Sequence, residues 1–167
     1  ITGALLIGMI LLLALQMKNS QQDTLEIGTV VRDFSLTTFE GETFRKSELG
    51  GKIVLLNFWS SWCSTCAEEG AALEEVWQQV KGSGDVIFLG VNYVDTEKDS
   101  LAFLEKYNIT YPNAPDMGSK ISQMFKVQAV PETYILGGDG RLAVMQIGAF
   151  TSADEIRTAL KLAGWEG

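Results

Sequence analysis

Histidine is absent from this chain of 167 residues, which also has only two cysteines and three prolines. Without histidine there is no Ser-His-Asp or Cys-His nucleophile and no His-containing metal site. Two cysteines cannot build an all-cysteine zinc centre within one chain, because such a centre needs four. They also leave none over for structural disulfides, so any redox role rests on that one pair. Basic residues are scarce as well: 13 Lys and Arg stand against 21 Asp and Glu, for a net charge of −8. No Lys/Arg cluster is available to follow a phosphate backbone, which argues against a nucleic-acid partner. No G-x-G-x-x-G or P-loop pattern occurs, and no cofactor is expected. Internal repeats and low-complexity segments are missing too. What is present is globular: 46% hydrophobic and 20% charged residues, in a length that suits one domain with a real core.

The first stretch differs in kind. Ile1 to Met17 holds only two clearly polar residues, Thr2 and Gln16. As a helix it rises about 25 Å, a little short of the roughly 30 Å hydrocarbon core. Residues 1–17 are expected to form a retained transmembrane anchor, 18–27 a polar linker and 28–167 the folded domain. The rival is a cleaved signal peptide, but the small residues that cleavage requires are poorly matched around Ala14-Leu15-Gln16-Met17. No cysteine follows the run, so it is not a lipoprotein signal. The chain does not begin with Met, so upstream residues, including the basic flank that sets orientation, are expected to be missing.

Further along, an α/β layer pattern emerges. Phe34 and Leu36 alternate with polar residues, and Phe39 to Phe44 suit a hairpin turning at Glu40-Gly41. Ile53 to Trp59 is a near-continuous apolar run, as in a buried strand. Leu73, Val76, Trp77 and Val80 fall at i, i+3, i+4 and i+7 of a helix. Val86 to Val91 forms a second buried strand. Thr96 to Tyr107 suits a helix with Leu101, Leu104 and Tyr107 on one side. Tyr111-Pro112 and Ala114-Pro115 interrupt regular structure, and Ser119 to Phe125 suits a short helix. Thr133 to Leu136 and Leu142 to Ile147 pair across Gly137-Gly138-Asp139-Gly140. Ser152 and Glu155 have capping-box spacing and open a last helix that stops at Gly164.

The chemistry sits where the apolar strand hands over to the first long helix, at Trp62-Cys63-Ser64-Thr65-Cys66. A thiolate at a helix N-terminus is stabilised by the dipole and by unpaired backbone N–H groups. Cys63 comes first and is the better-placed nucleophile, expected to be exposed; Cys66, within the first turn, is the shielded resolving thiol. An intermolecular zinc site or a purely structural disulfide are the competing readings. Glu69 lies three residues after Cys66 and so on its face of the helix. It is either a base that takes the proton of Cys66 or a solvated first-turn carboxylate. Pro131 precedes a strand, where proline is tolerated without further meaning; a cis bond there presents the Val130 backbone to an extended peptide. Trp59, Phe58 and Phe88 are expected in the core, and Asp33 and Asp95 at turns or strand ends.

Together these residues resemble the thioredoxin-like superfamily, in its membrane-anchored ResA/TlpA/CcmG (DsbE) branch of thiol–disulfide oxidoreductases. The resemblance spans roughly Gly28 to Gly164. It rests on Asp33-Phe34-Ser35-Leu36, Asn57-Phe58-Trp59, Trp62-Cys63-Ser64-Thr65-Cys66, Gly90-Val91-Asn92-Tyr93 and Val130-Pro131-Glu132-Thr133-Tyr134, followed by Gly138-Asp139-Gly140. It implies a mixed central sheet flanked by helices, with an extra N-terminal β-hairpin. Cys63, Cys66 and Glu69 are then catalytic and Cys63–Cys66 is a redox-active disulfide. Pro131 is then cis; Trp62, Val130, Pro131 and Glu132 meet the substrate, and Asn92 to Asp95 line the site. The implied activity is reduction of apocytochrome c disulfides on the extracytoplasmic side of a membrane, with a membrane thiol protein as electron donor. A general disulfide oxidase or isomerase, a weaker peroxidase reading and a non-catalytic binding module are the alternatives. Two departures stand out: the branch often carries proline between its cysteines where this chain has Ser64-Thr65, and a basic residue where it has Ala67.

Overall fold

A computed structural model describes residues 25–167. The expected anchor, 1–17, and all but the end of the expected linker, 18–27, lie outside the described residues. Among those described, no helix is long and apolar enough to cross a membrane. Leu25, inside the expected linker, already packs against the core.

The elements run β1 (Ser35–Thr37), β2 (Thr43–Arg45), β3 (Ile53–Trp59), α1 (Ser64–Val80), β4 (Val86–Asn92), α2 (Glu97–Lys106), β5 (Asn113–Pro115), α3 (Lys120–Phe125), β6 (Glu132–Leu136), β7 (Leu142–Ile147) and α4 (Ala153–Leu162). β1 and β2 pair as a separate hairpin. The main sheet has the order β5-β4-β3-β6-β7; β3 runs parallel to β4 and antiparallel to β6. This is the mixed sheet with flanking helices and N-terminal hairpin that the resemblance implies.

Strand alternation decides what each face meets. Ile53 and Leu55 of β3 point into one cluster with Leu73, Val76 and Val80 of α1 and Ile156 and Leu160 of α4. Val54, Leu56 and Phe58 point the other way, towards Phe34 and Leu36 of the hairpin segment and Ile121 and Phe125 of α3. β3 is therefore covered on both sides, which explains its near-continuous apolar pattern. A buried Leu or Phe in such a layer contributes about 1.5–3 kcal/mol through lost water contact.

Two expectations need correcting. The segment holding Pro112 and Pro115 does not simply break the structure, because Asn113–Pro115 forms the edge strand β5 alongside β4. Proline is tolerated at an edge, where a missing N–H faces no partner. On α2 the inner face is Ser100, Phe103, Leu104 and Tyr107 rather than one containing Leu101, which is 41% exposed. Ser100 turns inward because its hydroxyl donates to the Asn92 side chain at 2.8 Å. A polar residue thus marks the buried face, which an apolar count passes over.

Candidate active site at the end of the central strand

β3 ends at Trp59, and a short turn delivers Cys63 to the N-cap of α1. Cys63 and Cys66 are joined in a disulfide. The Cys66 N–H donates to Cys63 Sγ at 3.1 Å, and Thr65 Oγ1 lies 3.4 Å from the same sulfur. When the bridge is open, those groups and the helix N-terminus are placed to stabilise a Cys63 thiolate. Cys63 is the less buried of the two cysteines, but at 7% exposure it is not open to solvent as expected. The apolar cluster of Trp59, Phe103 and Leu104, with Val130 against it, covers it. Exposure at this end belongs instead to Trp62 at 62% and to Val94 beside it, whose carbonyl accepts from Trp62 Nε1 at 3.1 Å.

The Val130–Pro131 peptide bond is cis, and the Val130 carbonyl oxygen lies 3.7 Å from Cys63 Sγ. Glu132 does not lie at the surface, where a substrate contact is expected. It is 2% exposed, on the sheet face away from α1, where it accepts from the Gln128 and Ala129 N–H groups at 3.2 and 3.1 Å and from Tyr134 Oη at 2.7 Å. Its carboxylate holds the loop that carries Pro131, which is a different task from the expected contact.

Glu69 is 1% exposed, one turn after Cys66 and on the buried face of α1. The solvated-carboxylate alternative therefore falls. Asn57 Nδ2 donates to Glu69 Oε1 at 2.8 Å, and the Phe150 N–H donates to Oε2 at 2.9 Å. Burial pushes the Glu69 carboxyl up to about 7, against the downward pull of the Phe150 and Asn57 hydrogen bonds. A carboxyl poised near neutrality can both take and release a proton.

Several residues here were not read from the chain as functional. Asn57 looked like one more member of an apolar run, yet alternation puts it beside Leu55 on the α1 face. Thr133 is its register partner on β6 and accepts from Asn57 Nδ2 at 3.0 Å. The polar break in the run was the available signal; nothing in the sequence marked the Phe150 N–H. Asp95, a turn or strand-end residue by its own pattern and a site-lining one by the resemblance, clamps the turn before Cys63. It accepts from the Ser61 N–H and hydroxyl at 2.6 and 2.9 Å, from Asn92 at 3.1 Å and from the Thr96 N–H at 2.8 Å. Partial burial pushes its carboxyl up, but those bonds outweigh it and hold it below the usual carboxylate range. Gly90 is explained as well: a Cβ there would overlap the Asn113 side chain, which accepts from Trp59 Nε1 at 2.8 Å.

Residues 27–145 match the model of the AhpC/TSA family. The chain belongs to the AhpC/TSA family. It is 30% identical over 132 residues to the thiol-disulfide oxidoreductase ResA of a Bacillus cereus strain, covering 79% of this chain and 76% of that one. It is 33% identical over 130 residues to the thioredoxin-like protein YneN of Bacillus subtilis (strain 168), covering 76% and 75%. The structure superposes on a secreted Mycobacterium tuberculosis disulfide oxidoreductase homologous to E. coli DsbE with a TM-score of 0.68. That pair is 28% identical, over 77% of this chain and 94% of the other. With its cysteines bridged at the end of a thioredoxin-like sheet, this AhpC/TSA member is a thiol–disulfide oxidoreductase of the ResA/DsbE type.

Proposed function

We propose that the protein is a membrane-tethered, extracytoplasmic reductant of protein disulfides, with apocytochrome c as its client. Residues 1–17 anchor it, 18–27 space it from the membrane and 28–167 carry the chemistry. The apolar run supports the anchor. The similarity to the thiol-disulfide oxidoreductase ResA supports the exchange chemistry, and the resemblance to its branch implies the reducing direction. The observation that carries the reading is the buried Glu69 carboxyl on the Cys66 face of α1.

In the reduced protein the Cys63 thiolate attacks a client disulfide. One client sulfur leaves as a thiolate and is protonated by solvent, and the other stays bonded to Cys63. Glu69 then takes the proton of Cys66, whose sulfur attacks Cys63, closing the Cys63–Cys66 bridge and expelling the second client thiolate. Two electrons pass to the client, and a membrane thiol protein restores them to the bridge. Trp62 and Val130 border Cys63 and form the surface on which an extended client lies, with Pro131 buried behind them and the Val130 backbone available for strand-like pairing. Glu132 serves that surface from beneath by fixing the loop.

The test is Cys66→Ser. It is expected to trap a disulfide between Cys63 and a peptide carrying an oxidised Cys-x-x-Cys-His haem motif, detected by mass, and Cys63→Ser to trap none. Failure to trap any disulfide substrate overturns the reading. A reduction potential near the roughly −120 mV of a strong oxidant, rather than the roughly −270 mV of thioredoxin, reverses the direction of electron flow.

A further inference from the structure

We propose that Asn57 is a positioning residue for this exchange, holding the Glu69 carboxylate in place on the Cys66 face of α1 and favouring its charged form. The inference rests on the reading of Glu69 as the base for Cys66. Asn57 lies 1% exposed in the middle of the central strand, at a position where every neighbour in the strand is apolar. A buried amide there costs stability unless its hydrogens are used. Both are: one goes to Glu69 Oε1 at 2.8 Å and the other to Thr133 Oγ1 at 3.0 Å. Turning the amide over would set Oδ1 against a carboxylate oxygen, acceptor to acceptor. The Thr133 hydroxyl, in cross-strand register, accepts the other hydrogen and anchors the amide in place.

Each Glu69 oxygen thus has one fixed N–H donor, from Asn57 on one side and Phe150 on the other. Donors of this kind favour the charged form, opposing a burial that disfavours it. The balance brings Glu69 to about 7 rather than higher. Other titratable groups facing Glu69 are few. Cys66 shares its helix face. Tyr111 approaches from the segment before β5; burial, and then the charges of Glu69 and Glu74, push its ionisation well above neutrality. Tyr111 therefore stays uncharged while Glu69 titrates. Phe150 supplies only a backbone N–H, so Asn57 is the side chain that sets how readily Glu69 gives up its proton.

The experiment isolates the resolving step. Reduced protein is mixed with oxidised glutathione to form the Cys63–glutathione disulfide. Release of glutathione by Cys66 is followed by rapid mixing across the neutral pH range. In the wild type, release is expected to rise with pH through a midpoint near 7 that reports Glu69. Asn57→Leu, which keeps the branched outline and removes the donor, is expected to move that midpoint up by about one pH unit. That shift slows release at pH 7 by about fivefold, the ratio of deprotonated fractions. Thr133→Val, which removes only the amide's anchor, is expected to move it the same way by less. It decides the matter if Asn57→Leu does not fold. Glu69→Gln is expected to abolish the midpoint in every background. A midpoint that Glu69→Gln removes but neither other variant moves overturns the Asn57 inference and leaves the base role standing. A midpoint that survives Glu69→Gln overturns both. Lower thermal stability with an unmoved midpoint assigns Asn57 a purely structural role, which also overturns the inference.

Discussion

The two halves of β3 are equally buried and chemically opposite. All seven residues from Ile53 to Trp59 are inaccessible. The first four are apolar and meet apolar clusters on both faces. The last three include Asn57, with Ser60 just beyond, and around them Glu69, Asn113 and Thr133 are buried too. Burial therefore has two uses in one strand. In the lower half it supplies folding free energy. In the upper half it raises the proton affinity of a carboxyl and covers a disulfide, at a cost in stability that the lower half offsets. Polar pairing follows the same division. The Glu69 oxygens, the Asn57 Nδ2 and the Trp59 Nε1 of the redox end all have partners. Among the described residues, the buried side-chain polar atom that lacks one is Trp77 Nε1, which borders the apolar cluster below.

The comparison breaks first if the lower half turns out not to carry the stability. Leu55 is wholly buried between α1 and α4. Leu55→Ala is expected to cost about 2–5 kcal/mol, as cavity formation adds to lost burial. Urea denaturation measures the loss, and the remaining folded protein is expected to keep the wild-type pH dependence of thiol exchange. A loss below about 1 kcal/mol would show that the cluster relaxes around the gap.

Next comes the upper half's cost. Glu69 moves from an ordinary 4.5 to about 7 on folding. Between those values the folded chain holds a proton that the unfolded chain has released, so stability falls as pH rises and levels off above 7. The full fall is about 3 kcal/mol, at roughly 1.36 kcal/mol per unit. Glu69→Gln is expected to flatten that slope, with part of the gain lost because the new NH2 group must face either the Asn57 or the Phe150 donor. Stability curves across this pH window measure it; a wild-type curve that is flat there would mean that the upper half carries no such cost.

How much of this was legible in the chain differs between the halves for the same reason. Apolar periodicity reports burial, so Ile53–Trp59, α1, β4 and β7 could be placed within a residue or two. Spacing also set Glu69 on the Cys66 face. It could not show that Glu69 is inaccessible, because that depends on Phe150, 81 residues away along the chain. Asn57 and Ser100 were missed because buried polar groups oppose the pattern that marks burial; each is recognisable only once its partner's position is known. The resemblance implies a substrate contact at Glu132, next to Pro131. The two adjoin in sequence, but Glu132 lies beneath the loop with its carboxylate spent on the backbone of Gln128 and Ala129 and on Tyr134.

The smallest effect is expected at the joint between the two regions. Ser152 caps α4, its hydroxyl accepting from the Glu155 N–H at 3.3 Å. The Glu155 carboxylate returns to the Thr151 N–H and hydroxyl at 2.8 and 2.6 Å rather than to the cap's own N–H. Thr151 adjoins Phe150, the residue whose N–H holds Glu69. Ser152→Ala removes one of these restraints and is expected to cost about 1 kcal/mol, the usual worth of a serine cap. The doubled Glu155–Thr151 contact is untouched by that change, so Phe150 should keep its place and the pH midpoint of thiol exchange should not move. Denaturation and the exchange profile are then read on the same variant. A stability loss with a fixed midpoint keeps structure and proton chemistry separable at this joint. A midpoint that rises with the loss would mean that α4's first turn tunes Glu69, and the division drawn along β3 would extend into the helix that covers it.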